Sequence, residues 1–277
     1  MVVALGIVSA LLYGSADFLG GVASKRSPML SVTLGAQTVG LLVLFGVVPF
    51  FRAAPTQAEI LWSLAGGVCG GIGIALLYHA LSIGKMGVVS PITAVLAAAM
   101  PVLVGILRGD SLRAFQLAGI AIALAAVVMI SLSKEESGKR EIATSGVKEA
   151  IASGIAIGCF FLVLGTVRSS AGLDGLLAAR IGSVLCLLVL VLVTRTKPRP
   201  AGGTLPMVIA SGAMDMSANV LYVIAAQTGE LAIASVLTSL YPASTVLLAQ
   251  IALRERLQLV QKIGVGLALL GVALIAA

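Results

Sequence analysis

Most charged side chains of this 277-residue chain stand in short stretches between apolar runs, but Asp17, Arg180 and Asp215 stand inside them. An ionisable group within such a run costs about 2.5–3.5 kcal/mol on insertion scales, so it is expected to face a cavity or a partner. Asn219 follows Asp215 by four residues and Tyr222 follows it by seven, which on a helix places all three on one face. A carboxylate, an amide and a phenol on one stripe, with a guanidinium elsewhere in the apolar runs, can hold a small polar molecule by charge and hydrogen bonding. For Arg180 and Asp215 the bland reading is a structural ion pair and the functional one is a binding pathway. Both hold if the pair opens when a ligand arrives. Arg180 suits a carboxylate-bearing ligand such as an amino acid, unless Asp215 neutralises it. Asp17 lies five residues from the end of its run and reads either as an interfacial acid or as a proton carrier. Gln37, Tyr78, Gln227 and Tyr241 complete the candidate lining. His79 reads as a hydrogen-bonded or interfacial histidine, and Tyr13 and Trp62 as interface anchors.

Other chemistries find no support. Cys69, Cys159 and Cys186 fall inside apolar runs with neither metal-ligand nor disulfide spacing. Gly66, Gly67, Gly70, Gly71 and Gly73 form small-xxx-small patterns, which read as close helix packing rather than a phosphate loop. No Walker sequence occurs, so the chain carries no ATP-driven pump of its own. No catalytic triad, zinc pattern or paired carboxylates appear. The expectation is a non-enzymatic protein without cofactor or metal. The net charge of +7 would suggest nucleic acid in a soluble chain, but here the basic residues sit in short loops, where they set membrane topology instead.

What must position these residues is a set of membrane helices. Residues are 59% hydrophobic and 10% charged, against about 25% charged in a soluble domain. Ten runs approach the roughly 20 apolar residues a crossing needs: 2–22, 30–51, 60–81, 87–107, 114–132, 150–167, 173–194, 205–227, 231–253 and 259–276. The first reads as a retained helix, since it lacks a basic leader and a cleavage site. The runs are continuous, which favours helices over the alternating strands of a barrel. Residues 133–149 form a charged linker between two halves, 1–132 and 150–277.

The halves repeat. At an offset of 145, residues 80–130 lie over 225–275 without a gap: Gly84 on Gly229, Ser90 on Ser235, Thr93 on Thr238, Gln116 on Gln261, Gly119 on Gly264, and Asp110 on Glu255. Upstream, Gly67 falls on Gly212, and Gln37 comes near Arg180 after a small shift. Five helices per half is an odd number, so the second half enters the membrane from the opposite side. Inverted repeats place a binding site near the midplane, between the halves, with access alternating as one rocks on the other. The predicted fold is all-α, with ten transmembrane helices in two inverted five-helix repeats.

The run Gly229-Glu230-Leu-Ala-Ile-Ala-Ser-Val-Leu-Thr-Ser-Leu-Tyr241-Pro242, then Leu253-Arg254-Glu255-Arg256-Leu257 and Gln261-Lys-Ile-Gly264, resembles the end of an EamA-type domain of the drug/metabolite transporter superfamily. The stretch from Tyr13-Gly14 through Arg108-Gly109-Asp110 resembles the same domain more loosely. The resemblance implies two EamA repeats and export or exchange of small metabolites. It also supports Asp17 as a proton carrier, since related small multidrug transporters have an acid in their first helix. Ala97 occupies the slot of Pro242, with Pro91 and Pro101 on either side, so any break in the fourth helix is expected away from that slot.

Of the 18 Lys and Arg, 13 lie in the loops after odd-numbered helices and four in the others, with Arg180 inside a helix. The positive-inside rule then puts the linker in the cytoplasm and both termini outside. The resemblance implies cytoplasmic termini. The expected protein is a multi-pass cell-membrane transporter, monomeric or homodimeric, probing no nucleic acid. It would be a secondary-active exporter of amino-acid-like or amphipathic metabolites, with protons as a candidate coupling ion. The alternative is a passive facilitator, which needs no coupling acid.

Overall fold

The computed structural model describes residues 1–51, 54–107, 114–134, 140–142, 145–166, 172–227 and 237–276. Among these, ten α-helices follow in order: α1 (Val2–Ser24), α2 (Met29–Val47), α3 (Gln57–Ile83), α4 (Met86–Leu107), α5 (Ala114–Ser131), α6 (Val147–Thr166), α7 (Gly172–Val193), α8 (Leu205–Gln227), α9 (Tyr241–Ala252) and α10 (Leu259–Ala276). Five are long and apolar enough to cross a membrane by length and composition: Val2–Ser24, Met29–Phe50, Gln57–Ile83, Gly172–Val193 and Leu205–Ala225. Shorter apolar stretches lie at Met86–Met100, Ala114–Met129 and Leu259–Ile275.

Local sequence sets several ends. Thr56 caps α3, and Glu59 returns a bond to the Thr56 amide, so the helix starts three residues before the apolar run. α7 closes on Arg195 at φ 52°, with the Thr196 amide bonded to the Val191 carbonyl, a Schellman ending in which arginine stands where glycine is usual. α9 is shorter than its apolar run. Its chain turns at Ser239–Leu240 and the helix begins at Tyr241, with Pro242 in the first turn, where a missing amide hydrogen costs nothing. Residues 228–236 lie outside the described set. α4 passes through Pro91 and Pro101 as one helix, so the break sought away from the Ala97 slot is not found there. The charged linker contains an antiparallel ladder, β1 (Leu132–Lys134) with β2 (Arg140–Ile142), in which Leu132 faces Ile142. Two three-residue strands in charged sequence carry no period-2 signal long enough to read beforehand.

Packing joins the halves rather than building each alone. α1 lies along α8, α3 along α6 and α7, α5 along α10, α4 on α6, α2 on α7 and α8, and α1 on α9. Each of these pairs takes one helix from either side of the linker. Replacing every helix by the one five places on, or five back, returns the same set of pairs. Individual contacts obey the same exchange. A Cβ on Gly67 would fall on the Ala179 carbonyl, and one on Gly212 would fall on the Ala36 carbonyl. The Ser9 hydroxyl donates to Ala218 O at 2.9 Å, and the Ser153 hydroxyl to Gly73 O at 2.8 Å. Gly67 and Gly212, like Gly73 and Ala218, are the residues that the 145-residue offset superimposes. Close glycine contacts of this kind draw helices together where lipid removes the hydrophobic drive.

The outer faces are apolar, with Leu11, Leu42, Phe45, Leu61, Trp62, Leu188, Val189 and Leu192 all exposed. In water such a belt would be a liability. In a bilayer it is the lipid-facing surface. The interior holds Leu77, Leu81, Met86, Val89 and Ile92, and within it the polar residues considered next.

Candidate functional site

α7 and α8 bring Arg180 and Asp215 together. Arg180 Nη2 donates to Asp215 Oδ2 at 2.7 Å, with the two side chains 8% and 18% exposed. The guanidinium lies over Gly40 of α2, where a Cβ would stand 3.4 Å from Arg180 Cζ. The pair belongs to the second half and is roofed by a helix of the first. The Asn219 side-chain amide donates to the Asp215 backbone carbonyl at 2.8 Å, within α8. Tyr222, one turn on, packs with Val2, Leu5 and Ala225.

Asp17 is buried on α1. α1 continues for seven residues beyond it, to Ser24. One turn earlier, Tyr13 meets Tyr241 with ring centroids 6.1 Å apart and planes tilted by 56°. Tyr13, read from the sequence as an interface anchor, is half-buried where α1 packs on α9. Trp62 is exposed on the outer face of α3, as an interface anchor would be.

On the other side of Asp17, Tyr78 is buried at 2% exposure, and its ring fills the space above Gly20. Its hydroxyl is 2.8 Å from Ser211 Oγ, and Ser211 donates in turn to Ala16 O at 2.8 Å. With the serine proton so used, the tyrosine hydroxyl is the donor of the first bond. The chain of bonds ties α3 to α8 and α8 to α1. Ser211 was not foreseen. Its signal was present in the sequence, because Ser211, Asp215, Asn219 and Tyr222 continue one stripe at i, i+4, i+8 and i+11.

Gln37 is 5% exposed and its Oε1 has no hydrogen-bond partner among the described residues. His79 is half-buried and lines a surface crevice of about 380 Å³ with Ser24, Ser27, Ser82 and Thr196. The side chain of Gln227 lies outside the described set. The three cysteines are free and half-buried. Among the described residues, no group of three or more His, Cys, Asp or Glu could hold a metal.

A helical bundle with a lipid-facing apolar belt and a buried ionic pair between helices of a duplicated chain belongs to the class of multi-pass membrane transport proteins. The chain is a member of the EamA-like transporter family: that family's profile matches residues 1–132 and again 144–277, one copy for each half. No curated protein matches it. Among solved structures, one described only as "Crystal structure of protein" is similar in fold, with a TM-score of 0.64 at 16% identity over 99% of this chain and 95% of that one.

Proposed function

We propose that the protein is a secondary-active transporter that exports small metabolites, amino-acid-like or amphipathic, across the cell membrane. Two inverted five-helix units, residues 1–132 and 150–277, carry ten spans between them, and residues 133–149 tether the units. The observation that carries this reading is the buried Arg180–Asp215 pair, which lies beneath Gly40 of the opposite half in a seam that also holds Asp17, Tyr78 and Ser211. A buried pair is expensive to desolvate and does little for stability over apolar residues of the same volume. A substrate carboxylate or amine can take over one partner of the pair. Gln37, Tyr78, Asn219, Tyr222, Gln227 and Tyr241 then contribute pathway contacts, and Asp17 carries the coupling proton.

The test is uptake and efflux in proteoliposomes against a metabolite panel. Arg180→Gln and Asp215→Asn should each lower transport of any accepted substrate at least about tenfold, the equivalent of losing one charged hydrogen bond. Normal rates in both variants would remove the site. Asp17→Asn should leave downhill exchange intact while abolishing accumulation driven by a proton gradient. Wild-type flux that ignores the gradient, unchanged in Asp17→Asn, would instead favour the passive facilitator.

A further inference from the structure

The turn between α9 and α10 reaches across the molecule to the start of α4. Glu255 Oε1 accepts the amide of Met86 at 3.1 Å, and Glu255 Oε2 accepts that of Gly87 at 3.2 Å. These are among the first amides of α4, which have no carbonyl partner within their own helix. A carboxylate there is favoured by hydrogen bonding and by the helix dipole together. Leu257, two residues on, closes over Gly87, where a Cβ would meet its methyls at 3.0 Å. The chain is bent to make this reach: Arg254 adopts φ 54°, a left-handed conformation disfavoured for a residue with a side chain.

Other contacts between the halves lie at the same face, the one bearing most of the basic loops. The Ala201 amide donates to Ser27 Oγ at 2.7 Å, and Ser31 Oγ donates to the Lys197 carbonyl at 2.5 Å. Both are single bonds with a neutral acceptor. The Glu255 contact is charged and two-pronged, and hydrogen bonds of that kind are roughly twice as strong. It is also half-exposed, so water can take both partners when it opens.

We propose that Glu255 is the latch that holds the basic face of the transporter closed, and that its release opens the seam beside the start of α4. This rests on the alternating-access reading above. In that cycle the contacts between halves at one face must break before that face admits substrate, and among the described residues Glu255 makes the one charged, two-pronged contact at this end.

The test is sided thiol labelling. In a background of Cys69→Ser, Cys159→Ser and Cys186→Ser, a reporter is introduced as Ser90→Cys. Ser90 is 1% exposed, one turn into α4, and its hydroxyl has no partner among the described residues, so the exchange removes no bond. A membrane-impermeant maleimide is applied to vesicles of each orientation. Glu255→Ala should raise the labelling rate from the basic face at least about tenfold, as a shift of one decade in the closed-to-open ratio requires. Glu255→Gln, which keeps one acceptor oxygen, should raise it less and from the same face. Labelling from the opposite face should stay level or fall. Wild-type rates in both variants, or a rise equal from both faces, would overturn the latch and leave Glu255 a fixed helix cap. If Glu255→Ala does not fold, Glu255→Gln decides by the same criterion. The labelling uses no substrate, so its failure is separable from the transport results for Arg180 and Asp215.

Discussion

The Arg180–Asp215 pair shows how a few polar atoms are held in an apolar interior. Removing one partner leaves the other charge buried and unpaired, which costs about 3–5 kcal/mol. Arg180→Gln and Asp215→Asn should therefore each lower the unfolding temperature in detergent. The double variant, with no charge stranded, should recover most of that loss. If the pair is only structural, transport recovers with stability. If it binds substrate, the double variant is stable and inactive, and comparing unfolding temperature with flux separates the two. At this scale the sequence showed which ionisable residues enter the apolar interior but not how they meet. Asp17, Arg180 and Asp215 announced themselves because charge is rare in apolar runs. The Tyr78–Ser211–Ala16 chain did not, because serine is common in membrane helices and its partner is a carbonyl 195 residues away. Asn219 keeps its place on the stripe, with its amide donating to the Asp215 carbonyl one turn back.

Helix contacts depend on which glycines have a neighbour. Gly67 and Gly212 each sit against a carbonyl of the other half, and a methyl at either position would overlap it. Gly67→Ala and Gly212→Ala should cost at least the roughly 1–3 kcal/mol of an overpacked core, seen as a lowered unfolding temperature or loss of folded protein. Gly46 of α2 faces open space, and Gly46→Ala should be neutral or stabilising by up to about 1 kcal/mol, because alanine restricts the unfolded chain. Equal effects at the three positions would mean that the close approach is unimportant. Gly67 and Gly212 were legible as repeat partners, and Gln37 as a neighbour of Arg180 in the alignment. Their packing partners Ala36 and Ala179 precede those two residues directly, which gives the small shift a structural meaning: α2 and α7 are displaced by two residues relative to α3 and α8. Helix ends were less legible. The Thr56–Glu59 box is a readable start signal that hydropathy alone overlooks, and the turn at Ser239–Leu240 interrupts a run that hydropathy shows as continuous.

For the molecule as a whole, topology has two separable parts. The first is parity. If each half crosses five times, the linker and the C-terminus lie on opposite sides whichever way the protein is inserted. A reporter placed after Ser145 and one placed after Ala277 should then give opposite signals. Like signals would mean an even number of crossings between them, and the two halves could no longer be inverted copies. The second part is sign. Thirteen Lys and Arg lie on the linker side and four on the other. Translocating basic loops against the membrane potential is unfavourable, so the linker side should be cytoplasmic. A phosphatase active only outside should therefore be active at the C-terminus and silent at the linker, although the family resemblance implies the reverse. The latch gives this sign a consequence. Glu255 stands among the basic loops, so with the linker inside, the proposed latch would close the cytoplasmic face, and Glu255→Ala should expose the thiol of Ser90→Cys to reagent in inside-out vesicles. With the sign reversed, the same labelling would appear in right-side-out vesicles, while the opposition between the two reporters would stand.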